Sequence, residues 1–215
     1  MKLVSVAASR VTWLFETREM NPQGLDLHPV YVAIKNRYNF ATPRSREEIE
    51  TAKDGIKFQH GVYKPDGTNG FSIEFTSYND GLVADSMAST QLTEAFLDDL
   101  TSLARKQFSL AFTPQTVYKR KYASSLLVES EIGLSRITQG IAEIASCLSE
   151  ATGRPFETTG LTLGPDGSIS SDFTQPFTIE RRVGVPFATN RFFSNAPLQT
   201  DAHLALLEKF ESLMK

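Results

Sequence analysis

Cysteine occurs once, at Cys147, tryptophan once, at Trp13, and histidine three times, at His28, His60 and His203, in a chain of 215 residues. A single cysteine excludes an intramolecular disulfide framework and a cysteine-based zinc site. Because Cys147 falls inside an apolar helical pattern, it is expected as a small buried hydrophobe. The histidines are scattered, with no pair at helical ligand spacing and no His-Glu-x-x-His, so no metal site is predicted. No apolar run approaches the roughly 18 residues a membrane span needs. The stretch Leu3 to Ala8 follows one lysine and ends beside Ser9, but it is too short for the apolar core of a secretion signal, and a cytoplasmic protein is expected.

Charge of one sign is also lacking. With 22 Lys and Arg against 25 Asp and Glu, the formal net charge is -3, which argues against a surface built as a whole to meet nucleic acid or anionic lipid. There is no Gly-x-Ser-x-Gly elbow, no phosphate-cradling Gly-x-x-x-x-Gly-Lys loop and no dinucleotide Gly-x-Gly-x-x-Gly, so no catalytic residue and no cofactor is predicted. Function is therefore constrained mainly by exclusion.

What the chain does contain is a regular alternation of strand and helix signals. Arg10 to Met20 is β-rich, with Val11, Trp13 and Phe15 on one face, and Asn21-Pro22-Gln23-Gly24 is a turn. Leu27 to Ala41 carries both patterns: Leu27, Val30, Tyr31, Ile34, Tyr38 and Ala41 at helical spacing, and Val30, Val32 and Ile34 alternating. Pro29 in a first helical turn favours the helix. Ser45-Arg46-Glu47-Glu48 fits a capping box for a further short helix ended at Asp54-Gly55. Strands follow at Ile56 to Tyr63 and, after Pro65-Asp66-Gly67, at Phe71 to Phe75. Asn79-Asp80-Gly81 turns the chain back as a hairpin, and Ser89 or Thr90 caps a helix with a stripe from Leu92 to Phe108. After a boundary at Phe112 to Gln115, the second half gives a strand at Ser124 to Ser130 and a helix over Ile132 to Ala151 with Ile137, Ile141, Ile144, Ala145 and Leu148 on its stripe. A strand at Phe156 to Leu163 and a last helix from Leu198 to Met214 complete it.

Two stretches echo one another. Pro65-Asp66-Gly67 with Phe71-Ser72-Ile73-Glu74 is matched by Pro165-Asp166-Gly167 with Phe177-Thr178-Ile179-Glu180, each followed by a helical run. The fold class predicted is α+β: a tandem pseudo-repeat of a β-α-β-β-β-α unit, residues 1–113 and 114–215, with antiparallel sheets and helices on one face, compact about a pseudo-two-fold. At the level of fold, that order resembles the saddle of the TATA-binding protein family. None of that family's residue motifs occur here and the acidic balance departs from it, so the resemblance implies a topology and no function.

The candidate residues follow from this scaffold. Glu74 and Glu180 are expected at matching strand positions on an open sheet face, joined by Arg181 and Arg182 on the same strand run and by Arg191, Phe192 and Phe193 in a loop of polar turn formers. Tyr118-Lys119-Arg120-Lys121-Tyr122 interleaves cations with rings, the combination single-stranded nucleic acid binding uses. Asp80 is expected as a turn residue, Asp98 and Asp99 as a solvated helix face, and His203 as a solvated helix position. The leading expectation is a non-catalytic module that binds a protein partner or a second copy of itself through Glu74, Glu180, Arg181, Arg182, Arg191, Phe192 and Phe193. The second is nucleic-acid binding through residues Tyr118 to Tyr122. The third is an enzyme with Glu74, Glu180, His60 and Asp80 between the repeats.

Overall fold

A computed structural model describes residues 1–41, 55–65, 69–113, 115–134, 139–166 and 175–214. The capping box at Ser45 to Glu48, the turn residues Asp66, Gly67 and Gly167, the boundary residue Pro114 and the stripe position Ile137 lie outside the described residues. The protein is mixed α+β, and every strand pairing described is antiparallel. The chain divides into two compact units, Ala8–Tyr122 and Met1–Ala7 with Ala123–Lys215, called the first and second unit below.

In the first unit the strands β1 (Lys2–Phe15, from Ala8 onward), β2 (Ile56–Tyr63), β3 (Phe71–Tyr78) and β4 (Gly81–Ser86) lie in the order β2-β3-β4-β1. The helices are the single turn α1 (Thr17–Met20), α2 (His28–Tyr38) and α3 (Thr90–Phe108). Alternation in β1 buries Ser9, Val11, Trp13 and Phe15 and turns Arg10 outward to Asp85 on β4, at 2.6 Å. The strand begins at Lys2 and stops at Phe15, earlier at both ends than the β-rich run suggests. It stops because Glu16 O accepts from Glu19 N and Met20 N, which starts a helical turn.

The ambiguous segment is α2. Val30, Tyr31, Ile34 and Tyr38 are buried at helical spacing while Val32 faces out, and Asn39, left-handed at φ 53°, returns its N–H to Lys35 O. Ser89 is the cap of α3, accepting from Leu92 N at 3.3 Å. Between α2, α3 and the sheet lies an aromatic core of Tyr38, Phe40, Phe58, Tyr63, Phe75 and Phe96. Gly61 is what admits Phe40 to it: a Cβ built at Gly61 would overlap the Phe40 ring, its Cζ at 2.8 Å and two other ring carbons nearer still. Gly61→Ala is therefore expected to lower the stability of this unit by about 1–3 kcal/mol through overpacking. Urea unfolding followed by Trp13 fluorescence checks this, and an unchanged midpoint would contradict it.

The second unit has β5 (Val117–Glu129, from Ala123 onward), β6 (Gly160–Leu163), β7 (Phe177–Arg181) and β8 (Arg191–Ala196) in the order β5-β8-β7-β6, with α4 (Gln139–Thr152) and α5 (Thr200–Leu213). Among the described residues its core cluster is much smaller: Leu126, Val128, Leu134, Ile179, Phe192 and Leu207. The strand expected from Phe156 starts only at Gly160, because Phe156 N–H is held by Ser149 Oγ at 2.8 Å, against the end of α4. Ile132 and Leu134, read as helix, are buried before α4 as it is described.

Candidate functional site

The feature of the second unit that folding does not account for is α4. Its sequence is strongly amphipathic, with Ile141, Ile144 and Leu148 one and two turns apart on one face, and Gly153 at φ 67° ends it. Such a stripe ordinarily faces a core. Here Ile144 is 63% exposed, Leu148 43% and Ile141 45%, while the small Ala142, Ala145 and Ser149 are half-buried. The helix thus rests on its small residues and presents its bulky ones. Cys147 beside them is exposed, correcting the expectation of a buried thiol. Phe156 and Leu163 are also exposed, at 41% and 58%. In the first unit, by contrast, α2 buries Val30, Tyr31, Ile34 and Tyr38.

The residues singled out from sequence are dispersed. Glu74 and Glu180 are both exposed on outward positions, but register separates their surroundings: Glu74 lies opposite Asp85, and Glu180 opposite Phe193. Arg181 is buried. It donates to Phe187 O at 2.7 Å, pairs with Glu157, and lies over the rings of Phe187 and Phe192 at 4.7 and 5.2 Å. Phe192 is wholly buried in the core, whereas Phe193, its neighbour on the strand, is 39% exposed on the other face. Arg182 and Arg191 are half-buried and face each other across the start of the β7–β8 connection, where Arg182 N donates to Arg191 O.

Tyr118 to Tyr122 lie in the first part of β5, which begins well before the strand expected at Ser124 to Ser130. Strand alternation puts Lys119 and Lys121 on the face opposite Tyr118, Arg120 and Tyr122. Arg120 and Tyr122 both bond Glu94, at 3.2 and 2.9 Å, and the Arg120 guanidinium lies 4.9 Å from the Trp13 ring centroid. The cations and rings therefore do not form one free surface. His60 is exposed on β2 at φ 57°, within a register shift, and Asp80 is exposed in the hairpin turn. Asp99 is engaged: it accepts from Arg37 at 2.8 Å and from the Tyr38 hydroxyl at 2.9 Å, and burial, followed by that carboxylate, pushes the Tyr38 pKa up.

Two buried polar networks anchor α5. His203, expected in solvent, is fully buried, with Nδ1 2.8 Å from Ser124 Oγ and Nε2 2.9 Å from Ser194 Oγ. Burial pushes its pKa down to about 4. Each serine also bridges the ring to a backbone carbonyl: Ser194 Oγ donates to Thr178 O at 2.8 Å and Ser124 Oγ to Leu198 O at 3.1 Å. Glu211 accepts from Ser130 Oγ at 2.6 Å, from Glu131 N at 3.0 Å and from the Met1 amine. Burial pushes its carboxyl pKa up, but the Met1 ammonium, Ser130 and Glu131 outweigh that and hold it low. Both networks are sealed inside the unit and offer no reacting group to a substrate.

Among the described residues no group of three or more His, Cys, Asp and Glu is arranged to hold a metal ion, and no helix is long and apolar enough to cross a membrane. Comparison with protein-family models and with curated proteins finds no match for this chain.

Proposed function

We propose that this protein is a non-catalytic protein-binding or self-assembly module and that α4 carries its binding surface. The observation behind this reading is the exposed stripe Ile141, Ile144 and Leu148 on a helix that has the pattern of a core helix. Apolar side chains aligned on one helix and left in water are the anchors of helix-in-groove recognition. Burying each is worth about 1.5–3 kcal/mol. Phe193, Arg191 and Glu180 on the outer sheet face form a second, more polar contact region. Nucleic-acid binding finds less support, because Arg120 is held by Glu94 and Trp13.

The test is Ile144→Asp, alone and with Leu148→Asp, assayed by sedimentation velocity over a range of concentrations and by capture of partners from the native host. The expected result is a loss of self-association or of the captured partner by about tenfold or more, with thermal stability unchanged within about 0.5 kcal/mol because these positions are exposed. Association and capture that are unchanged by both substitutions, or a monomer that captures nothing, would overturn the reading.

The duplicated scaffold belongs to the same proposal. Setting aside α1, the described elements of both units run β-α-β-β-β-α, and their strand orders correspond, β2-β3-β4-β1 with β6-β7-β8-β5. The last helix of each begins with a buried threonine, Thr90 or Thr200, after an extended residue, Ser89 or Gln199. Its fourth residue, Thr93 or His203, bonds buried serines on two strands: Ser9 and Ser86 at 2.7 Å each, or Ser124 and Ser194. On this reading α2 and α4 are counterparts, one turned to folding and the other to binding.

A further inference from the structure

We infer that the outer sheet face of the second unit carries an oxyanion site, built by Arg182 and Arg191, for the phosphate group of a small organic phosphate. The site is separate from the α4 surface and does not depend on it.

Strand register fixes its geometry. Thr178 lies opposite Asn195 and Glu180 opposite Phe193, and the same register, continued by the bond from Arg182 N to Arg191 O at 2.9 Å, sets Arg182 directly opposite Arg191. Side chains alternate along a strand, so both arginines share the outer face with Glu180 and Phe193, away from the buried Arg181 and Phe192. Directly opposed residues have Cβ atoms about 4.5–5.5 Å apart, and like charges so placed destabilise a sheet. On the far side of Arg191 stands Glu129, its partner on β5. On the far side of Arg182 the β6–β7 register, carried on by the bond from Arg181 N to Thr159 O at 2.7 Å, brings Thr158.

These neighbours do not satisfy the pair. Both arginines are half-buried, yet neither makes an ion pair or a side-chain hydrogen bond among the described residues. On the inner face of the same strand, by contrast, Arg181 pairs with Glu157 and donates to Phe187 O. Thr158 Oγ1 is buried with no partner of its own, and Arg191 Nε is shut from solvent without an acceptor. The Arg191 stem is therefore packed down, and its terminal nitrogens, which are not shut in, are left as unused donors beside those of Arg182.

An anion between two opposed guanidiniums relieves their repulsion. A phosphate has oxygens enough to accept from both forks, whereas a carboxylate is filled by one bidentate contact. Glu129 and Glu180 are exposed beside the pair, so water screens them and they weaken an anion only modestly. Phe193, two positions along β8 from Arg191 and 39% exposed on the same face, offers its ring to the organic group of the ligand.

The experiment titrates the full chain with phenyl phosphate, in a phosphate-free buffer at fixed ionic strength, by calorimetry and by the NMR shifts of the Arg182, Arg191 and Phe193 amides. Inorganic phosphate, which lacks the ring, and benzoate, which keeps the ring with a single carboxylate, are the comparators. Saturable binding of phenyl phosphate is expected, with inorganic phosphate weaker by about threefold or more and benzoate by about tenfold or more. Arg182→Gln and Arg191→Gln are each expected to weaken phenyl phosphate by about tenfold while circular dichroism stays unchanged, since each removes one of two opposed like charges. Glu129→Gln acts in the opposite sense and strengthens binding by about twofold. No saturable binding of phenyl phosphate, equal binding of either comparator, wild-type affinity in either arginine variant, or weaker binding in Glu129→Gln would overturn the assignment. The comparators act on the unmodified protein, so the test stands even if a variant does not fold.

Discussion

Phe96→Ala lowers the stability of the first unit by about 3–5 kcal/mol, the range for removing a wholly buried aromatic ring from a core. Phe96 has no exposed surface and sits at the centre of the aromatic cluster. Its ring meets Tyr38 at 4.9 Å and 70°, Tyr63 at 5.6 Å and 68°, Phe75 at 5.9 Å and 69°, and Phe40 at 6.3 Å and 74°. Each such edge-to-face pair is worth about 0.5–1.5 kcal/mol beyond the area it buries. Collapse around the cavity is resisted on two sides. The Tyr38 hydroxyl is tied to Asp99, and Phe40 is seated in close contact with Gly61. The loss should therefore fall toward the upper end of the range. Urea unfolding read by Trp13 fluorescence measures it in the unit concerned, with Leu206→Ala on α5 as the control. Leu206 is 37% exposed, and its truncation should change stability by no more than about 0.5 kcal/mol. A loss below about 1.5 kcal/mol at Phe96 would mean that the cluster repacks and is less tightly built than its geometry implies.

That cluster was largely legible in the sequence, and the exposed helix was not. Pro29 and the spacing of Val30, Tyr31, Ile34 and Tyr38 identify α2, and the alternation of Phe71, Ile73 and Phe75 before Asn79-Asp80 identifies the β3–β4 hairpin. These are local rules, and local geometry satisfies them. Periodicity reports that Ile141, Ile144 and Leu148 share a face of α4, but it carries no information on what covers that face. The same limit applies to charge. Arg181 occupies an inward strand position because Glu157, Phe187 and Phe192, none adjacent to it in sequence, supply its ion pair and its two rings. Arg120 is likewise claimed by Glu94, 26 positions earlier in the chain. The matching of Glu74 with Glu180 follows a four-residue likeness. Strand register is set by whole hairpins, and it gives the two glutamates different neighbours. His203 reads as solvated because it is polar, yet it falls one turn before the buried Leu207, which is the signal that could have placed it inside.

Acid is expected to weaken the second unit by about 3 kcal/mol between pH 6.5 and pH 4 through His203 alone, from a displacement of the imidazole pKa from its ordinary 6.5 to about 4. The folded state binds the proton less tightly than the unfolded chain does. The stabilising contribution of the neutral ring is therefore complete above pH 6.5, declines as pH falls, and is gone below about pH 4. The cause is geometric. Neutral His203 bonds Ser124 through Nδ1 and Ser194 through Nε2, which joins β5, β8 and α5 around one ring with the Phe177 ring edge-on at 6.2 Å. Protonation places a charge on a buried ring to which no carboxylate among the described residues is bonded. Glu211 adds a second acid-sensitive contribution. Its carboxylate is held below the ordinary 4.5, so that contribution is present above 4.5 and is lost only as pH falls further, outside most of the histidine window. Denaturant unfolding of wild type and His203→Gln at several pH values separates the two. Wild type should lose about 3 kcal/mol across the window, and the variant should be less stable at pH 7 and nearly flat down to pH 4.5. The imidazole proton shift of His203, followed by NMR, should titrate well below 6.5. A titration near 6.5, or the same slope in both proteins, would show that the ring is wetter and its serine pair weaker than the fold implies. With six buried residues in that unit's core cluster among the described residues, a few kcal/mol is a large part of what holds α5 to the sheet.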